Sequence, residues 1–362
     1  MIDKVSIKVL EKLSEDSRTP VSAIAKEIGC APATAARRIR WLEEQLGMSY
    51  TLEINEYALG VVRNLVRVKF KKQPDVTKLR NLLLKHNTPQ FAALTKGDFD
   101  LVIYGIAESP SHFNRWAHWF RYELEDHIEE WKTNTICEVG VGFFPYRNDF
   151  LKGIPLDEAK RKILLMLNEN SRISLKEIAE RAGIPVSTAQ YYLNQLMSRE
   201  HPGVSVPVEK YHKHQLTARQ FIQRPTIALR SIPLKPTVIQ LVSYLVKENF
   251  MKAVVESRKA LTVEEELEPM NNIVYSVNCL GDMDDIYIAC FSGIGEINKF
   301  QERVRKGWGG LLRGEESALV LQPILGSIGY RKLDLEKAYA PESRCNVFQY
   351  LEEEAARKKP TR

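Results

Sequence analysis

The sequence predicts an α+β fold built twice over in one chain. Three observations carry this reading. Residues 2–47 and 156–199 align without a gap at an offset of 154. Asp3 falls on Asp157, Leu10 on Leu164, Ser17-Arg18 on Ser171-Arg172, Gly29 on Gly183 and Thr34-Ala35 on Thr188-Ala189. Lys96-Gly97-Asp98-Phe99-Asp100-Leu101 then recurs as Leu280-Gly281-Asp282-Met283-Asp284-Asp285, with a β-rich apolar run after each. Each copy also places a helical trio before alternating strands and helices, the order expected of segregated α and β layers.

In the first copy, Val5, Val9, Leu10 and Leu13 form the apolar face of a helix. A second helix is expected from near Pro20 to Ile28, Pro being favoured in a first turn. Gly29 supplies the left-handed turn that only glycine adopts cheaply. Pro32 opens a third helix with Ala35, Ile39 and Leu42 inward. Two helices around a short glycine turn form a helix-turn-helix, whose second helix reads a DNA groove. Gly47–Ile54 alternates like a wing strand.

The chain then predicts a strand around Asn64–Phe70, a helix over Val76–His86, strands at Gln90–Thr95 and Asp100–Ile106, a helix over Ser111–Asp126 and a strand near Ile136–Phe144. This βαββαβ order is ferredoxin-like. The second copy predicts the same order over Thr226–Ile232, Val238–Lys247, Met251–Glu256, Ile286–Phe291, Glu296–Lys306 and Ala318–Ile324. The acidic stretch Val263–Asn272 reads as a surface loop. The domain boundaries expected are 1–60 and 151–215 for two winged helix-turn-helix units, 61–150 and 216–335 for two βαββαβ domains, and 336–362 for a charged tail.

On the first recognition helix, Ala33 and its small neighbours allow close approach to a groove, and Thr34 suits a phosphate. Arg37, Arg38 and Arg40 bring positive charge, and arginine also forks onto guanine. The competing reading is a solvated charged face. The second recognition helix has no basic residue and offers Ser187, Thr188, Gln190, Tyr191 and Asn194. It reads equally as a polar DNA contact or as a module kept for packing.

The remaining composition is bounding rather than directing. The net charge of +6 is compatible with nucleic acid. No apolar run suits a bilayer, so the chain is expected in the cytoplasm with no membrane partner. Five scattered cysteines without a C-x-x-C pair argue against zinc or a redox motif, and no cofactor is expected. Phe113, Trp116, Trp119 and Phe120 are spaced as a helix face packed on a sheet. His112 and His118 do not share a face, and His212 and His214 flank Lys213 in a polar connector. No phosphate loop, nucleophile elbow or catalytic carboxylate pair is present, so no enzyme is expected.

The first half, with D-x-x-I/V-L-x-x-L-x-x-x-S-R, I-A-x-x-x-G, the stretch Leu46 to Gly60 ending in Ala58-Leu59-Gly60, and a βαββαβ domain with a G-D-x-D turn, resembles the Lrp/AsnC (feast/famine) transcription regulators. The second half resembles them well through its helix-turn-helix and more loosely beyond. Ordinary members carry one copy and dimerise, so this chain looks like a dimer fused into one polypeptide. The resemblance implies double-stranded DNA as a partner, RAM-type regulatory domains, and a small effector such as an amino acid. The effector would sit near Gly97, Asp98 and Asp100 or Gly281, Asp282 and Asp284, though a plain tight turn explains those residues too. The two βαββαβ domains are expected to pair face to face through Leu65, Val102, Ile227, Leu229 and Ile288, with Arg67 on the same side. Further self-association is left open. Relatives of the family that act as siroheme decarboxylases, and a non-enzymatic assembly role, are the alternatives.

Overall fold

The structure, a computed structural model, describes residues 3–197, 221–229, 237–244, 273–291, 293–308 and 312–329. The predicted strand Met251–Glu256, the loop Val263–Asn272, His212, His214 and the charged tail lie outside these residues.

Three helices open the chain: α1 (Lys4–Glu15), α2 (Val21–Ile28) and α3 (Pro32–Leu46). Asp3 caps α1 by accepting the Ser6 N–H at 2.8 Å. Gly29 closes α2 at φ 72°. The same device recurs in α8 (Glu158–Glu169), α9 (Leu175–Ala182) and α10 (Val186–Leu196). There Asp157 accepts the Lys160 N–H at 2.9 Å and Gly183 closes α9 at φ 70°. Each cap satisfies a helix-end donor and is worth about 1 kcal/mol.

The strand after α3, β1 (Met48–Ile54), is not a free wing. It pairs antiparallel with β6 (Ile222–Leu229), which in turn pairs with β11 (Ile328–Gly329). Thr51 stands opposite Thr226. The expected first strand of the second regulatory domain, Thr226–Ile232, therefore belongs to a different sheet. β6 sends Ile227 and Leu229 into the core of the first helical trio beside Val9, Leu13 and Leu42. β1 sends Leu52 and Ile54 into the core that includes the second trio's Ile163, Leu167 and Leu193. Each module thus completes its core with a strand from the other half. Ile227 and Leu229 are removed from the expected sheet-to-sheet interface by this exchange.

The remaining strands close into one barrel, in which the four from the first half lie side by side and the four from the second half complete the circle. After the short α4 (Glu56–Leu59), the first half contributes β2 (Val62–Phe70), α5 (Val76–Leu84), β3 (Pro89–Gly97), β4 (Leu101–Ala107), α6 (Pro110–Glu123) and β5 (Ile128–Val141). This is the predicted βαββαβ order, with the last strand beginning earlier than expected. α7 (Asn148–Leu151) leads on to α8. The second half contributes β7 (Thr237–Tyr244), β8 (Ile273–Leu280), β9 (Asp285–Cys290), α11 (Ile294–Trp308) and β10 (Leu312–Leu325). Val238–Lys247, predicted as a helix, contains β7 instead. Val238 faces the α11 side with Ala289 and Phe300, while Ile239 and Leu241 face the barrel interior. A strand buried on both faces shows no polar alternation.

The two sheets do meet face to face, and they are also stitched at both edges, β5 to β8 and β3 to β10. Leu65, Val102 and Ile288 fill the interior as expected, with Phe91, Tyr104 and Tyr275. Outside, α5 and α6 cover β2–β4 through Leu79, Leu83, Phe113, Trp116 and Phe120, so the aromatic cluster is a packing face.

Candidate nucleic-acid interface

α3 and α10 place their predicted reading residues toward solvent. Ala33, Arg37 and Arg40 are exposed and Thr34 is half-buried. Arg38 differs: it is half-buried and pairs with the α1 cap Asp3 at 2.7 Å. The Ser6 N–H, with Arg38 beyond it, holds the Asp3 carboxyl below its ordinary range. Arg38 is therefore a brace between helices, and the free charge of α3 reduces to Arg37 and Arg40. On α10, Ser187, Gln190, Tyr191 and Asn194 are exposed and Thr188 is half-buried. Gln190 donates to Asn194 at 2.9 Å. Nearby Lys176 and Arg181 are engaged by Glu180, Glu177 and Glu169.

The two modules are held together by the Ser-Arg turns that match in sequence. Ser17 Oγ and Ser171 Oγ are 2.6 Å apart and buried. Arg18 donates to the carbonyls of Ser171 and Ile173 at 2.6 and 3.0 Å. Arg172 returns a bond to the Ser17 carbonyl at 2.8 Å. Burial, with Arg172 beside it, lowers the Arg18 pKa. The strands repeat the pattern. Thr51 donates to the Asn168 carbonyl and Thr226 to the Ser14 carbonyl. The Ser171 N–H reaches the Tyr50 carbonyl and the Ser17 N–H the Pro225 carbonyl. Residue i bonding j while i's counterpart bonds j's is the signature of an isologous contact. The sequence displays Ser17-Arg18 and Ser171-Arg172 as identities; only the fold reveals that they touch.

The two G-D-x-D turns lie on the barrel seams and behave differently. At the first, an added Cβ on Gly97 (φ 151°) would sit 2.4 Å from the Ser317 carbonyl oxygen. Asp98 exchanges two bonds with Ser317, its N–H to the carbonyl at 3.0 Å and its carboxylate from the Ser317 N–H at 2.7 Å. Asp100 accepts the Phe70 N–H and the Lys69 ammonium. These aspartates clasp backbone and one lysine. At the second turn, Gly281 abuts Asn134, and Asp282 pairs with Arg67. Arg67 is 1 % exposed and also binds Glu316 and Asn134, while Glu316 reaches Lys132 at 2.8 Å. Burial raises the Asp282 pKa, but the Arg67 hydrogen bond and charge outweigh it and leave the carboxyl below its ordinary range. Glu316 holds the Lys132 ammonium above its own. Asp284 anchors the turn through its carbonyl, which accepts the Cys279 N–H at 2.7 Å. The expected interface polarity at Arg67 is thus present, with acidic partners the sequence reading missed because they lie 215 and 249 residues away.

A second polar cluster was also invisible in sequence. Glu56 accepts the hydroxyls of Tyr104 and Tyr146 and pairs with Arg63 at 2.8 Å. Burial pushes both tyrosines well above their ordinary range. No group of His, Cys, Asp and Glu among the described residues is arranged to hold a metal. No helix among them is long and apolar enough to cross a membrane.

Fold and surface together define a protein with two helix-turn-helix modules mounted on a closed β-barrel. Residues 2–43 match the AsnC-type helix-turn-helix domain and residues 156–200 the winged helix-turn-helix DNA-binding family. The regulator FL11 of Pyrococcus furiosus is 30% identical over 107 residues, spanning 28% of this chain and 69% of FL11. The regulator LysM of Sulfurisphaera tokodaii is 29% identical over 114 residues, 32% of this chain and 81% of LysM. The chain belongs to the Lrp/AsnC family of DNA-binding transcription regulators. Over its whole length it shares the fold of the siroheme decarboxylase NirDL, with a TM-score of 0.51, 13% identity, and coverage of 98% of this chain and 100% of that one.

Proposed function

We propose that the chain is a regulator dimer fused into one polypeptide, reading an asymmetric DNA site with two unlike recognition helices. The observation that carries this is the pairing of Ser17-Arg18 with Ser171-Arg172, which fixes one module against the other while α3 and α10 keep their reading faces in solvent. Arg37 and Arg40 supply phosphate and guanine contacts from the first module, with Ala33 and Thr34 permitting close approach. Ser187, Thr188, Gln190, Tyr191 and Asn194 supply uncharged contacts from the second. The two helices then address neighbouring major grooves about one turn, or about 34 Å, apart. A mobility shift on the gene's own upstream region tests this. Binding should weaken with salt, and changing Arg37 and Arg40 to Ala should abolish most of it and flatten the salt slope. A footprint that is a perfect inverted repeat with equal protection of both arms would refute the asymmetric reading.

Effector sensing, in this proposal, belongs to the second turn. Arg67 and Lys132 beside Asp282 and Glu316 offer both signs of charge, as a zwitterionic amino acid requires. Calorimetry across an amino-acid panel with no heat for any member would remove that claim.

One observation favours a second reading, a tetrapyrrole-handling enzyme: the whole-chain likeness to NirDL. Against it, His112 and His118 are exposed on α6 and His86 packs on Trp119 outside the barrel. Purified protein that ignores duplex DNA yet develops a Soret band with a tetrapyrrole would reverse the ranking.

A further inference from the structure

A cleft of about 410 Å³ lies between the first recognition helix and the second module. We propose that it is a binding site for a small organic anion, a carboxylate or phosphate monoester with an apolar body, gripped by Arg40 and Arg172.

Arg40, on α3, makes no hydrogen bond or ion pair with a described residue. Arg172, from the other module, spends one donor on the Ser17 carbonyl and lies 5.2 Å over the Tyr50 ring. A guanidinium has five donors, so most of its capacity remains. Asn170 uses its side-chain oxygen on the Arg172 N–H at 3.0 Å, which leaves its NH₂ to donate. The carboxylate in the lining, Glu43, accepts the Tyr50 hydroxyl at 2.5 Å. Val21 and Ile39 form apolar walls. Two guanidinium groups against the one Glu43 carboxylate, with an amide and apolar walls beside them, favour an anion with an apolar body attached.

The internal repeat provides a control. At the matching place around α10, Asn194 replaces Arg40, Asp16 replaces Asn170, Met197 replaces Glu43 and Pro225 replaces Tyr50; Arg18 remains. The first side thus sets two guanidinium groups against one carboxylate, Glu43, whereas the second sets one, Arg18, against one, Asp16. The anion preference therefore belongs to one side of a symmetric scaffold, which a framework role alone does not require.

Occupancy would also draw Arg40 away from a duplex. That coupling rests on the DNA reading above; the binding does not. The test is calorimetry on the full chain without DNA, using inorganic phosphate, benzoate and phenyl phosphate. One phenyl phosphate is expected per chain, bound more tightly than inorganic phosphate, and weakened at least tenfold by Arg40→Ala. Lys78→Ala, exposed on α5 and outside the cleft, should leave phenyl phosphate binding unchanged. Arg40 is exposed and has no side-chain partner among the described residues, so its loss leaves the fold intact, as circular dichroism would show. Absence of saturable binding for all three probes at millimolar concentration would overturn the site. So would indifference to Arg40→Ala. Equal binding of inorganic and phenyl phosphate would overturn the organic ligand. In a separate arm, phenyl phosphate should weaken DNA binding by the wild type and leave the residual binding of Arg40→Ala unchanged. Intact anion binding with no DNA binding would sink the DNA reading alone.

Discussion

The two halves of this chain keep the same frame and spend it differently. Caps, glycine turns and Ser-Arg clasps match position by position, whereas the side chains facing outward or into the seams do not. Arg37 and Arg40 stand where the second half has Tyr191 and Asn194. Arg67 stands in the barrel where the register of β2 and β7 places Leu241. In an ordinary homodimer one gene sets both sides of an isologous interface, so neither can change alone. In the fused dimer proposed above that constraint is lifted, and the two halves differ in side chains that face outward or line the seams rather than in those that hold the frame.

The largest effect should come from testing the barrel side of this comparison. Arg67→Ala strips Asp282 and Glu316 of a buried partner and should cost about 3 kcal/mol, the low end for a broken buried pair because both carboxylates retain water. Arg67→Leu copies the other half and fills the space, and should recover part of that loss. Thermal melts of the three proteins give the order. Asp282 adds a pH signature. Its folded pKa lies below the ordinary value, so its stabilisation is present above the ordinary value and is lost as pH falls through the folded one. The acid limb of the stability profile should therefore flatten in Arg67→Leu; an unchanged limb would mean that Arg67 is not the group holding Asp282 ionised.

Next comes the reading surface. The Arg37→Ala, Arg40→Ala double variant should lose about 2–3 kcal/mol of DNA affinity. The matching Gln190→Ala, Asn194→Ala variant should lose under about 1 kcal/mol, since it removes no charge. Arg38→Ala should instead lower the melting temperature, because its partner is Asp3. Equal losses of affinity from the two doubles would erase the proposed asymmetry.

The sequence disclosed the helical trios almost completely, because caps and turns are local: Asp3, Gly29, Asp157 and Gly183 each act within one turn of helix. The exchange of β1 and β6 was illegible, since pairing Met48 with Leu229 is a choice between remote segments that period alone does not make. β7 was misread for a related reason. Val238, Leu241, Val242 and Leu245 fall at helical spacing, yet burial of both strand faces produces the same string. The Arg38–Asp3 pair is illegible in the sequence because the partner stands 35 positions away at the cap of another helix.

A smaller effect separates the two seam turns. Gly97→Ala meets the backbone carbonyl of Ser317 at 2.4 Å from a positive φ, and should cost about 2 kcal/mol. Gly281→Ala has a similar φ of 153° but meets first the side-chain amide of Asn134, which is buried and yields only by giving up its bonds to Arg67 and the Met283 carbonyl. It should differ from Gly97→Ala by no more than about 1 kcal/mol, a clash with strand backbone at one turn being set against lost buried hydrogen bonds at the other. Chemical denaturation midpoints of the two variants give the difference.

The clasp between modules should give the smallest and most diagnostic numbers. Ser17 and Ser171 share one buried hydrogen bond, so removing either hydroxyl strands the other at a cost of about 1–2 kcal/mol, whereas removing both strands neither. The double variant Ser17→Ala, Ser171→Ala should therefore be no less stable than the worse single. The singles should also differ. Ser171 Oγ has a second acceptor, the Thr226 carbonyl at 3.4 Å, so it tolerates loss of Ser17 better than the reverse. Strictly additive singles, or Ser17→Ala as the more damaging of the two, would mean that these hydroxyls do not meet, and the axis relating the two modules would have to be placed elsewhere.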